Sequence, residues 1–138
     1  MIFSYEEITP QVRRPIIPVL LTSETTFIIY RALVDSGADY CIFSIDLAYL
    51  LGIKLSSRDN VSFTGVDGEK IEGFWGEVEI RIGGISYKTK AIFAEISEFG
   101  HGILGHKGFF DQFDVKLSYQ KQTIEIEPHD ILDQSDQN

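Results

Sequence analysis

The chain has one cysteine, Cys41, in 138 residues. No internal disulfide can form, and a reducing, cytoplasmic setting is expected. Basic residues are scarce, 12 Lys and Arg against 21 Asp and Glu, so the net charge is -9. That balance argues against a nucleic-acid partner or an anionic membrane surface, both of which need a cationic face. No run of about 18 apolar residues occurs, so no membrane span is expected. Residues 1–10 carry Glu6 and Glu7 and lack a basic stretch, which argues against a secretory signal. Three scattered histidines and one cysteine provide no metal-ligand spacing, so neither metal nor cofactor is expected.

What is present is an apolar fraction of 43%, enough for one domain with a real core. Residues 1–14 read as an N-terminal arm ending in Arg13-Arg14-Pro15, residues 15–128 as the domain, and residues 129–138 as a polar tail. The arm's role stays open between a removable segment, a dimer strand and a loose end. Residues 16–21 and 26–34 are β-rich, with a polar turn at 22–25. Ser44 is placed to cap a short helix over 45–51, with Gly52 as its stop. Residues 77–82 alternate charged and apolar as on a half-buried strand, Gly83-Gly84 marks a hairpin, and 85–96 reads as the returning strand. Alternation recurs at 115–117 and 124–126, across a polar turn at 119–122. Many short strands with glycine turns and one helix predict an all-β protein, a small barrel.

The most informative stretch is Val34-Asp35-Ser36-Gly37-Ala38. An apolar strand runs straight into a carboxylate, a hydroxyl and a glycine. The strand holds the acid at the rim of a core, and Gly37 permits a sharp turn behind it. Further on, Phe63-Thr64-Gly65-Val66-Asp67-Gly68-Glu69 has the glycines of a mobile hairpin tip, and Ile103-Leu104-Gly105 ends an apolar segment. With Leu33 before it and Asp39 after it, the Asp35 motif resembles that of aspartic proteases of the retroviral, retropepsin-like type. The hairpin stands where that family has its flap. Ile103-Leu104-Gly105 stands where it has its apolar-apolar-Gly segment, with Gly108-Phe109-Phe110 following as in many cellular relatives. The three elements occur in the family's order over roughly residues 16–127.

The resemblance implies a small closed acid-protease barrel with a β-hairpin flap and one short helix. It implies Asp35 as catalytic acid, Ser36 as a cross-subunit brace, Gly37 against the substrate backbone, and Ala38 and Asp39 along the cleft. Gly65, Val66 and Gly68 would form the flap, and Ile103 and Leu104 would pack behind Asp35 and line a side-chain pocket. Two positions depart from the retroviral pattern. His106 stands where an Arg often pairs with the acid at Asp39, and Tyr40 stands where a further Asp is common.

Peptide hydrolysis by carboxylates needs two of them, one ionised and one protonated, and two adjacent carboxyls achieve this by sharing a proton. Only one Asp-Ser-Gly exists here. Asp67-Gly68 lacks the hydroxyl, while Asp111-Gln112 and Asp114-Val115 lack the glycine. The second acid must then come from a second copy, across a twofold axis. The expected function is a homodimeric aspartic endopeptidase acting on extended peptide. Rival readings are a non-catalytic peptide- or partner-binding module with the same fold, and an all-β domain in which Asp35 only shapes a turn. Asp39 is alternatively a solvated loop acid, and the 64–70 hairpin an ordinary surface loop. Phe74, Trp75, Phe109, Phe110 and Phe113 suit core packing better than the cleft. A Cys41 nucleophile would need a base such as His101 or His106.

Overall fold

A computed structural model describes residues 1–65 and 67–129. In chain order the strands are β1 (Ile2–Ser4), β2 (Glu6–Thr9), β3 (Val12–Arg14), β4 (Ile16–Thr22), β5 (Phe27–Val34) and β6 (Ile42–Ser44). The helix α1 (Ile45–Leu51) follows, then β7 (Asn60–Thr64), β8 (Lys70–Ile82), β9 (Ile85–Ala94), β10 (Gly102–Leu104), β11 (Phe113–Ser118) and β12 (Thr123–Pro128).

The main sheet runs β4-β5-β10-β6-β9-β8-β7, and β8 also pairs with β4 through Leu20↔Arg81, Leu21↔Ile80 and Thr22↔Glu79. Six strands therefore close on themselves as a barrel, which removes the free edges an open sheet would expose. The alternation in β8 explains which face turns inward: Val78, Ile80 and Ile82 are buried among Ile17, Val19, Leu21, Phe43 and Phe93, while Glu77 and Arg81 face out.

α1 has the expected limits. The Ser44 hydroxyl accepts from the Asp46 N–H at 3.3 Å, Asp46 favours the positive helix start, and Gly52 ends the helix at φ +73°. Leu47, Ala48 and Leu51 are its buried face.

Two segments differ from the sequence reading. The alternation at 77–82 is only the end of a 13-residue strand that begins at Lys70. Residues 1–14 are largely strand: β1 pairs with β12 (Ile2↔Glu125, Phe3↔Ile124, Ser4↔Thr123), and β2 and β3 form a hairpin of their own. Partners more than a hundred residues away decide the first of these pairings, and no local pattern announces them. The tail residues 130–138 lie outside the described residues. No described helix is long and apolar enough to cross a membrane.

Candidate active site

The site begins with how β10 is held. It lies between β5, which it meets in parallel (Gly102↔Ala32, Ile103↔Leu33, Leu104↔Val34), and β6, which it meets antiparallel (Ile103↔Ile42). The chain leaves β5 at Val34, makes the loop carrying Asp35, and returns on the far side of β10 as β6. The loop is thus clamped at both ends to one central strand. The Asp35 N–H donates to the Leu104 carbonyl at 3.0 Å, the His106 N–H to the Ala38 carbonyl at 2.8 Å, and the Lys107 N–H to the Asp39 carbonyl at 2.9 Å.

Gly105 is required by space. A Cβ there would lie 2.4 Å from the Tyr40 carbonyl oxygen and 2.7 Å from that of Ala38. Within the loop, the Gly37 N–H donates to Asp35 Oδ1 at 2.9 Å and the Ala38 N–H to the Asp35 carbonyl at 3.2 Å. One carboxylate oxygen is thereby oriented by backbone. His106 Nε2 bonds the Ser36 carbonyl, an acceptor, so Nε2 carries the proton. The position that departs from the retroviral pattern thus braces the Asp loop rather than pairing with Asp39, which is exposed and forms no ion pair among the described residues.

β7 and β8 form the hairpin above. Thr64↔Lys70 is their last pair, the Gly65 N–H donates to the Glu69 carbonyl at 2.8 Å, and the Gly68 N–H to the Gly65 carbonyl at 2.9 Å. Gly68 has φ +83°, a conformation few side chains tolerate. Val66 lies outside the described residues. The hairpin is not loose at its base. Val61, Phe63, Ile71 and Trp75 pack on a second apolar cluster of Ile42, Ile92, Ala94 and Ile96, which joins hairpin to barrel.

Between hairpin and barrel lies a cleft of about 530 Å³. Asp35, Gly37, Ala38, Asp39, Gly65 and Ile103 line it, so the structure brings these sequence candidates together. Ser36 is exposed on the loop beside them, and Gly68 sits at the hairpin tip outside the lining. Leu104 faces the core, fully buried, and serves the site through its carbonyl. The lining also holds Phe63 and Thr64 from the flap stretch, Tyr40, noted above as a departure, and Ile42, Ser62, Ile71, Ile92 and Phe99, which the sequence reading did not assign to the cleft. The polar–apolar alternation of Asn60-Val61-Ser62-Phe63-Thr64 is the sequence signal that marks Phe63. Phe99 stands alone in a loop and had none. Trp75 meets the Tyr40 ring edge-on at 4.9 Å and packs beneath the hairpin rather than in the cleft.

The chemistry available is that of an oriented carboxylate in an apolar-walled groove. Cys41 is fully buried, and burial pushes its thiol up to about 12, which removes it as a nucleophile near neutral pH. No three His, Cys, Asp or Glu side chains gather as a metal site among the described residues.

The aspartyl protease family model matches residues 25–107, a span that holds Asp35, the β7–β8 hairpin and the end of β10. Among solved structures, EIAV protease complexed with the inhibitor HBY-793 matches with a TM-score of 0.52 and 25% identity, over 72% of this chain and 88% of that one. No curated protein matches the chain.

Proposed function

The chain belongs to the aspartyl protease family, and we propose that it is an endopeptidase in which two Asp35 carboxylates, one from each subunit of a homodimer, activate the attacking water. The observation that carries this reading is Asp35 itself: a single Asp-Ser-Gly per chain, backbone-oriented, lining a cleft between the barrel and the β7–β8 hairpin. Residues 15–128 would form the protease domain.

With the two loops apposed, the carboxyls hold one proton between them, because both cannot ionise a few ångströms apart. The ionised member takes a proton from water as its oxygen attacks the peptide carbonyl carbon. The neutral member donates its proton to the carbonyl oxygen. Collapse of the tetrahedral diol then breaks the C–N bond, with proton transfer to the leaving amine. No acyl-enzyme, metal or cofactor is invoked. Substrate would lie extended under the β7–β8 hairpin, as an added strand does, and closure of the hairpin would exclude bulk water.

The test is cleavage of an unfolded protein by wild type and Asp35→Asn, from mildly acid to neutral pH. Cleavage by wild type, and none by a variant with an unchanged circular dichroism spectrum, is the expected result. Retained turnover in Asp35→Asn would refute the assignment. A wild-type chain that stays monomeric and binds peptide without cutting it would favour the binding-module reading.

A further inference from the structure

The loop between β9 and β10 carries Phe99 into the cleft wall. Its internal holds are local: the Ser97 hydroxyl donates to Glu95 Oε1 at 2.6 Å, His101 Nδ1 bonds the Gly102 carbonyl at 2.8 Å, and Ile96 is buried. It makes one 3₁₀ turn, Ser97–Phe99, with no side-chain cap, closed by Gly100 at φ +74°. The Phe99 N–H donates to the Ile96 carbonyl at 2.9 Å, and the Gly100 N–H to that of Ser97 at 3.2 Å.

A further hold comes from outside the loop. Gly102 pairs with Ala32, so the residues entering β10 run beside Arg31 on the outer face of β5. Arg31 Nη1 donates to the Gly100 carbonyl at 2.8 Å. The same guanidinium grips Glu6, through Nε to Oε1 at 2.6 Å and Nη2 to Oε2. Glu6 opens the β2–β3 hairpin. That hairpin is anchored by the buried Tyr5, whose N–H donates to the Gln122 carbonyl at 2.8 Å.

Two donors on one carboxylate fix the plane of a guanidinium, and the remaining edge then has a defined direction. A lysine ammonium has no such fork. We propose that Arg31 is a positioning residue for substrate binding: clamped by Glu6 of the N-terminal hairpin, it holds the Gly100 carbonyl and with it the Phe99 wall of the cleft. The proposal rests on the endopeptidase reading. The pair lies at the surface, outside the buried core, so Arg31 variants are expected to fold.

The test compares wild type, Arg31→Ala and Arg31→Lys by peptide kinetics and by amide hydrogen exchange. Both variants should raise KM by about tenfold with kcat within about twofold, the pattern of lost substrate binding. Exchange at Phe99 and Gly100 should accelerate by about tenfold as the loop opens locally. Arg31→Lys keeps the charge opposite Glu6, so protection of β2 and β3 should survive while the Gly100 hold is lost. Wild-type KM and exchange in Arg31→Ala would overturn the proposal. So would faster exchange with unchanged KM, or full rescue by Arg31→Lys. If wild type cuts no peptide, the endopeptidase reading fails, and unchanged exchange in the variants would then overturn the Gly100 hold separately.

Discussion

Replacing Gly105 by alanine tests how the Asp35 loop is seated. The new Cβ would meet the Tyr40 oxygen at 2.4 Å, and that oxygen must retreat by about 0.6 Å merely to restore 3.0 Å. The Ala38 oxygen, at 2.7 Å, must yield as well. Both belong to backbone, so no side-chain rotation relieves the clash. The same movement stretches the His106–Ala38 and Lys107–Asp39 hydrogen bonds, now 2.8 and 2.9 Å. Overpacking costs about 1–3 kcal/mol, and each weakened bond up to about 1 kcal/mol. A loss of about 3 kcal/mol is expected, a fall of roughly 10 °C in the unfolding midpoint for a domain of this size. Asp35 rides on the displaced loop, and misplacement of a catalytic group by about 1 Å costs about 100-fold in rate. Thermal unfolding and kcat/KM would be measured beside Gly84→Ala, where a Cβ meets nothing within 4 Å. A Gly105→Ala protein with the stability and activity of the Gly84→Ala control would refute the reasoning.

Cys41 should resist thiol reagents in the folded protein near neutral pH and react once unfolded; stoichiometric labelling of the native chain with loss of activity would contradict its burial and its thiol raised to about 12. The Arg31 hydrogen bond holds the Glu6 carboxyl below its ordinary value. Its contribution is therefore present above the usual glutamate range and lost as pH falls through the depressed folded value, and protection of β2 and β3 should weaken below about pH 4. Protection that is flat down to pH 2 would count against the clamp. A crosslink holding the β7–β8 tip away from Asp35 should abolish cleavage of long peptides without altering oligomeric state, and normal cleavage by the locked form would make the hairpin an ordinary surface loop.

The parts legible in the sequence are those set by neighbours in the chain. Ser44 and Gly52 bound α1 because a cap and a left-handed stop are local devices. Asp35 stood out because a strand, an acid and a glycine adjoin. The barrel's closure through Leu20↔Arg81 was not legible, because it joins strands sixty residues apart. β10 is three residues long, too short for any period to show, yet it seats the whole site. The first half of β8 lacks the clean alternation of 77–82, because Gly73 and Gly76 interrupt it. They are there because Ile92 and Phe93 on β9 crowd them: a Cβ at Gly73 would lie 2.6 Å from Ile92 Cγ2. Phe99 owes its place in the cleft to the path of a loop, which no pattern of its own residues records.

The central claim is that one active site needs two Asp35 side chains. Mixing wild type with Asp35→Asn at fixed total concentration, under conditions where subunits exchange and dimers are saturated, measures this directly. If both carboxylates are required, an equal mixture retains about a quarter of wild-type activity, since only that share of dimers carries two acids. Activity of about one half, falling in proportion to the wild-type fraction, would mean that each chain works alone and would contradict the shared dyad.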